Sequence, residues 1–483
     1  MILLRKPVLV CLLQAFGLAA GAQYWAGLAK GKPNVQGQVN VLYGDTVWDR
    51  LLMGGAFGLL DIGSDTVHCN GAGMWDGAGW DTLPQPVPYY DGTGVLGGPI
   101  FDFLRWKDVL YCVGGYTQLI GTEVNAAFSK WNPDSMRWDP LECINAYNGG
   151  MQVLVSTDDP DTSFITGYAG TLCGHPISNA FMYTGDTIMP WPPIFDFPWS
   201  NGDYTGRIFK YQGQYYMTGL RTDSITNISY SFMRYTGAAW EPVPGWNTLA
   251  SIKDVVFHDD RIYVCGTFFT EQGAPGNMVA AFDGLQWDSL GGGMREGWPN
   301  GTLGYVQDLH WWRDTLYAVG QFNYIGDGAL AHNAALWDGS KWCGLGGYFS
   351  NQVPGSGKLY TVTNWGDSLY VGGGFVTIDS DSMMSVARWL GNVENCSTPV
   401  GVQEQAQQQD MLLVWPNPAQ AALYFNTNCA VQVRVVDTTG RVVLAEQLAR
   451  GIALDVARLG SGCYMVLMRE RDGTTRTARF VKE

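Results

Sequence analysis

Leu316-Tyr317-Ala318-Val319-Gly320 decides how this chain folds, because the same hydrophobic run ending on glycine returns along the sequence. It stands as Leu51-Leu52-Met53-Gly54, Leu110-Tyr111-Cys112-Val113-Gly114, Phe164-Ile165-Thr166-Gly167 and Tyr215-Tyr216-Met217-Thr218-Gly219. It stands again as Ile262-Tyr263-Val264-Cys265-Gly266 and Leu369-Tyr370-Val371-Gly372-Gly373. The aligned glycines 54, 114, 167, 219, 266, 320 and 373 lie 60, 53, 52, 47, 54 and 53 residues apart. Self-similarity at one period marks a repeat architecture, in which each unit buries its apolar face against the next. Downstream of most runs lies an aromatic pair: Trp75/Trp80, Trp131/Trp138, Tyr235/Trp240, Phe282/Trp287 or Trp337/Trp342. Asp76-Gly77, Asp283-Gly284 and Asp338-Gly339 sit inside three of these pairs and are hairpin chemistry between extended segments.

Each unit therefore reads as four short antiparallel strands. In the sixth they are Val306–Trp311, Leu316–Gln321, Ala334–Trp337 and Lys341–Leu345. A four-stranded sheet repeated radially is a propeller blade. The expected fold class is all-β: a seven-bladed β-propeller over residues 23–396, followed by a small Ig-like β-sandwich. Gly114-Gly115, with Trp131 and Trp138 spaced behind it, resembles the kelch-like propeller repeat. The seventh unit reaches Arg388-Trp389 and then lacks a fourth strand. Trp25-Ala26-Gly27-Leu28 looks like the fourth-strand segments Trp287-Asp288-Ser289-Leu290 and Trp342-Cys343-Gly344-Leu345. Residues 24–29 are therefore expected to close blade seven from the N-terminal side and to cover an open sheet edge.

Composition agrees with this reading. Glycine accounts for 63 of 483 residues, aromatics for 13%, and charged residues for only 15%. Disorder needs few aromatics and high charge, and glycine is costly inside helices; disordered, coiled-coil and helical-bundle classes are excluded. A net charge of −15 opposes a phosphate-backbone partner, so no nucleic acid is expected. The charge is uneven: residues 23–410 carry 18 Lys/Arg against 38 Asp/Glu, and residues 411–483 carry nine against six. An acidic exported wheel gains solubility and can take cations or neutral ligands.

Arg5 and Lys6 precede the apolar run Val8–Ala20, and Ala20-Gly21-Ala22 has the small-x-small form of a cleavage site. Residues 1–22 thus read as a signal peptide, cleaved near Ala22/Gln23. The run is too short to span a bilayer, which needs ~20 residues, and no transmembrane segment is expected. Removing Cys11 leaves nine cysteines, an odd number, so at least one thiol stays unpaired within the monomer. Export permits disulfides. A local Cys429–Cys463 pair and simple burial as small hydrophobes both fit the spacing.

Residues 397–410 contain five Gln between 403 and 409 and read as a polar linker. Beyond it, alternating segments and turn signals over 411–483 indicate a small β-sandwich. Pro416-Asn417-Pro418, Asp437-x-x-Gly440-Arg441, Leu459-x-x-Gly462-x-Tyr464 and the terminal Phe480-Val481-Lys482 follow in that order. Together they resemble the C-terminal sorting domain (type A) of the bacterial type IX secretion system. The resemblance implies the type IX machinery as a partner and passage across the outer membrane of a Gram-negative bacterium. It also implies cleavage near the linker, then release or attachment at the cell surface.

Motifs of chemistry are sparse. Gly92-x-Gly94-x-x-Gly97 leads into strand-like Ile100–Leu104 rather than a helix, so it lacks the context of a phosphate cradle. The five histidines are isolated, and neither a cofactor nor a metal motif appears. Asp102, Asp254 and Asp308 each stand eight residues before the residue that starts a second strand, which places them together near the central opening. Such carboxylates could fasten neighbouring blades, ligate a structural cation, or act as acid and base. The loops that join one blade to the next carry Tyr89, Tyr90, Tyr147, Trp199, Tyr204, Trp246, Trp298, Tyr305 and Phe349. Aromatic faces beside polar groups suit a sugar or a peptide; they also suit packing on the wheel itself. The expected function is a secreted or surface binding protein for a glycan or protein. Its alternatives are a polysaccharide-acting hydrolase or lyase using the central carboxylates, and a structural part of adhesion or motility.

Overall fold

A computed structural model describes most of the chain from residue 24 onward. Outside the description lie 1–23, 29–36, 84–98, 157–162, 191–205, 298–303, 352–356, 392–411 and 426–430, with shorter gaps of one to four residues. The signal-peptide segment and most of the Gln-rich linker therefore fall outside the described residues. Two compact units result, Met1–Pro399 and Val400–Glu483.

The first unit is all-β, and among the described residues it holds seven four-stranded antiparallel sheets. Their first strands are Gly37–Asp45, Ile100–Trp106, Gly150–Ser156, Ile208–Tyr211, Ser251–His258, Tyr305–Trp312 and Lys358–Trp365. In the sixth sheet the strands are Tyr305–Trp312, Thr315–Gln321, Ala334–Trp337 and Trp342–Gly344, within about one residue of the sequence expectation at most ends. Tight turns make these hairpins: Arg313 and Asp314 take φ of 51° and 57°, as do Asp259 and Asp260 at 45° and 52°. Positive φ at both central residues gives the turn whose twist matches that of the flanking strands.

The recurrent aromatic pairs sit across from one another on the third and fourth strands. Trp75 faces Trp80, Trp131 faces Trp138, Tyr235 faces Trp240, Phe282 faces Trp287 and Trp337 faces Trp342. Ring centroids in these pairs are 4.7–5.6 Å apart, a separation worth about 0.5–1.5 kcal/mol beyond area burial. The seventh sheet builds the same pair from the two ends of the wheel. Trp25–Gly27 pairs with Val386–Trp389, placing Trp25 opposite Trp389 with centroids 4.9 Å apart. Trp25 is fully buried and donates its indole N–H to the Gly346 carbonyl at 2.9 Å.

Successive sheets are bonded side by side, and the last meets the first. Arg105 of blade 2 pairs with the fully buried Asp45 of blade 1. Lys107 donates to the Thr184 carbonyl of blade 3, and Thr166 to the Gly206 carbonyl at blade 4. Arg207 meets Asp254, Leu309 N–H meets Asp254, Val362 N–H meets Asp308, and Leu42 N–H meets Thr361. This closed ring of packed antiparallel sheets is a β-propeller.

The second unit contains a three-stranded and a four-stranded sheet. They enclose a core that includes Leu423, Val433, Val435, Leu454, Val466, Met468 and Phe480. Among the described residues no helix is long and apolar enough to cross a membrane.

Candidate functional site: the central cavity and the sorting motif

Six of the seven first strands contain a β-bulge near their start. The register against the second strand skips one residue between Val39 and Val41, Ile100 and Asp102, Met151 and Val153, and Ile252 and Asp254. It skips again between Val306 and Asp308 and between Leu359 and Thr361. A bulge leaves one residue unpaired and re-aims its side chain. Five of these residues, Asn40, Phe101, Lys253, Gln307 and Tyr360, line a central cavity of about 680 Å³. That volume lies within the ~300–1,000 Å³ of small-molecule sites. Sequence inspection passed over these residues, although a signal was present. Val39 and Leu42, Ile100 and Phe103, Ile252 and Val255, Val306 and Leu309, and Leu359 and Val362 are all buried. A spacing of three breaks the period of two that a regular strand requires, and an extra residue must be accommodated.

The residue after each bulge residue does a different job. Asp254 accepts from Val255 N–H at 2.7 Å and, across the blade boundary, from Leu309 N–H at 3.0 Å. Asp308 accepts from Val362 N–H of the next blade at 2.8 Å, and Thr361 from Leu42 N–H at 3.1 Å. Three equivalent positions thus tie one blade to the backbone of the next. Asp102 lines the cavity and accepts from Phe103 N–H at 2.9 Å. Among the described residues no group of His, Cys, Asp or Glu is arranged to hold a metal ion.

Arg207 enters from blade 4 and pairs with Asp254 at 2.8 Å. Burial works against its charge, but the carboxylates of Asp254, Asp102 and Asp308 outweigh burial and hold its pKa above the ordinary value. Its Nε is buried without a hydrogen-bond partner. Burial, and then the Asp254 carboxylate, push the Asp308 acid well above the usual carboxylate range, against the lowering effect of Val362 N–H.

The loop aromatics divide. Trp246 is 4% exposed and donates its indole N–H to Ser231 at 2.8 Å. Phe349 is 1% exposed, in the short strand Phe349–Ser350 that pairs with Thr377–Ile378. Both belong to the core rather than to an open aromatic face, because the connecting segments fold back onto the blades. Tyr305 is half-buried at the start of its strand; burial, then Tyr360 and Glu296, push its phenol up to about 12. Tyr89, Tyr90, Tyr147, Trp199, Tyr204 and Trp298 lie outside the described residues.

Cysteine usage is also clearer. Cys69 and Cys265 are buried free thiols, Cys112 is buried, and Cys343 is disulfide-bonded. Cys463 is free and exposed, so the local pair with Cys429 does not form.

In the second unit the recurrent residues hold the final strand in place. Asn417, between the cis bonds Trp415-Pro416 and Asn417-Pro418, donates to Arg479 O at 3.3 Å and accepts from Val481 N–H at 2.8 Å. Asp437 accepts from Arg441 N–H at 3.1 Å and closes a hairpin; Gly440 lies outside the described residues. Gly462 faces Lys482, and Tyr464 stacks on Phe480 with its hydroxyl on Gly460 O at 2.9 Å. Residues 413–483 match the family described as the secretion system C-terminal sorting domain. This segment is a type IX sorting domain. The sorting domain implies interaction with the type IX machinery and export to the cell surface or beyond.

No curated protein matches the sequence. Several solved structures are similar at low identity. The extracellular domain of a one-component system from B. thetaiotaomicron aligns at 10% identity and TM-score 0.41, over 95% of this chain and 59% of that one. PorZ, a surface component of the type IX secretion system of Porphyromonas gingivalis, aligns at 11% and 0.34, over 90% and 68%. The β-propeller domain of the Trilobed protease from Pyrococcus furiosus aligns at 8% and 0.38, over 75% and 95%. The chain thus spans about six tenths of the length of the first of these.

Proposed function

We propose that the protein is a secreted or surface-exposed binding protein with kelch-like blades. A signal peptide over residues 1–22 starts its export and the sorting domain completes it. Recognition of a glycan or protein takes place on the face where the inter-blade loops surround the central cavity. One observation carries this reading: a repeated backbone device delivers unrepeated chemistry. The bulge recurs in six blades, yet its cavity-lining residues are Asn40, Phe101, Lys253, Gln307 and Tyr360. At the following position Asp254, Asp308 and Thr361 keep similar acceptor chemistry because they fasten blades. Variation at the bulge is what ligand selection requires.

Tyr305 and the undescribed loop aromatics Tyr89, Tyr90, Tyr147, Trp199, Tyr204 and Trp298 belong to the same face in this reading. The hydrolase or lyase alternative is weaker. Asp254 already serves two backbone N–H groups and Arg207, leaving it little capacity for acid–base chemistry. Two experiments test the proposal. Deleting residues 411–483 should strand the protein in the periplasm. Replacing Asn40 and Gln307 with Ala should abolish binding on a glycan and protein array; binding equal to that of the unaltered protein would refute the cavity as the recognition site.

A further inference from the structure

We propose that the ligand is an uncharged oligosaccharide that runs from the central cavity across the junction of blades 7 and 1, with Tyr360 at the bend. This deepens the binding reading above and rests on it. A second cavity of about 550 Å³ adjoins the first, lined by Gln38, Asn351, Lys358 and Gly374 among others. Tyr360 lines both. A ligand of one compact unit would use only one of these spaces, whereas a chain of several units uses both.

The lining of the central cavity favours hydroxyl groups over a single sign of charge. In the central cavity Arg207 is paired with Asp254, and Lys253, Asp102 and Asp308 line the same space, so both signs of charge are present. A charged ligand would gain from one of these groups and be opposed by its neighbour. The remaining polar groups there are the amides of Asn40 and Gln307, the hydroxyls of Ser251 and Thr361 and the Tyr360 phenol, which both donate and accept, as sugar hydroxyls do. The Tyr360 phenol is half-buried where the two cavities meet, and burial raises its pKa.

The groove floor suits a flat ring. Gly37 is held at φ +149°, and a side chain there would meet the Ala56 carbonyl at 2.0 Å. The Tyr360 ring packs over Gly374, where an added Cβ would stand 3.5 Å from it. Backbone and an aromatic face therefore make up the surface along which a pyranose can lie.

The test uses the full-length secreted protein and neutral gluco-, xylo- and manno-oligosaccharides of one to six units, titrated by calorimetry. Affinity for at least one series should rise about tenfold or more between the monosaccharide and the tetrasaccharide and then level off. Tyr360→Phe should cost about tenfold at every length, and Tyr360→Ala more, with unchanged thermal unfolding verifying the fold. Gln38→Ala with Asn351→Ala should erase the length dependence. Length-independent binding that still needs Asn40 and Gln307 would overturn the extended pose but keep the cavity reading. Capture of a peptide by those same two residues, with no saccharide bound, would overturn the ligand class alone. Binding indifferent to all of these substitutions would overturn both.

Discussion

Removing the Asp254 carboxylate should loosen three blades at once, and Asp254→Ala is the sharpest test of how the ring is held. The carboxylate accepts from Val255 N–H and Leu309 N–H and pairs with Arg207 across the blade 4–5 boundary. Leaving a buried N–H without its acceptor costs about 1–3 kcal/mol. Breaking a buried ion pair from one side costs about 3–5 kcal/mol. The Arg207 side chain is 24% exposed to the cavity, so water recovers part of the second cost. A net loss of about 4–5 kcal/mol follows, a large share of a marginal total. Asp254→Asn retains an acceptor and should lose about half as much. Urea unfolding followed by tryptophan fluorescence reports almost wholly on the wheel, because Trp415 alone of the 20 Trp lies in the sorting domain. A loss below about 1 kcal/mol for Asp254→Ala would refute the fastening role.

Asp308→Asn should keep the bond to Val362 N–H while removing a titration. The folded-state pKa of Asp308 is raised. The group's stabilising contribution is therefore complete below its unfolded pKa of ~3.9 and declines as pH rises toward the folded value. Urea midpoints from pH 4 to 8 should fall more steeply for wild type than for the variant; a constant difference would contradict this. Trp25→Ala empties a fully buried site in the closing strand and should cost about 3–5 kcal/mol. It should also increase light scattering by freeing the Val386–Trp389 edge. Asn417→Ala should weaken only the sorting domain, by about 1–2 kcal/mol, read as faster hydrogen exchange at Val481 with an unchanged wheel transition.

The architecture was legible because a blade has strong local grammar. The run ending on Gly320, the Trp337/Trp342 pair and the turn at Asp338-Gly339 each have one structural use, and the strands formed where they pointed. Ring closure was legible for the same reason: Trp25 carries the fourth-strand pattern that the seventh unit lacks. The central Asp positions were found by alignment, and fastening of neighbouring blades, one of the roles read for them, is what Asp254 and Asp308 do; sequence alone did not separate it from cation binding, since a carboxylate looks alike in both. Trp246 and Phe349 were misplaced because sequence locates a connecting segment without saying which side of it turns inward. The bulge residues were missed because strand patterning seeks alternation, and the apolar spacing of three at Ile252 and Val255 resembles noise unless it is compared across blades.

The central claim is that the bulge side chains around the cavity select the ligand. The most direct measurement is a glycan-array comparison of the unaltered protein with a variant carrying Asn40→Ala, Gln307→Ala and Tyr360→Ala. The account predicts that the unaltered protein retains a defined set of neutral glycans and that the variant, folded to the same extent, retains none of them. An identical retained set for both proteins would contradict it.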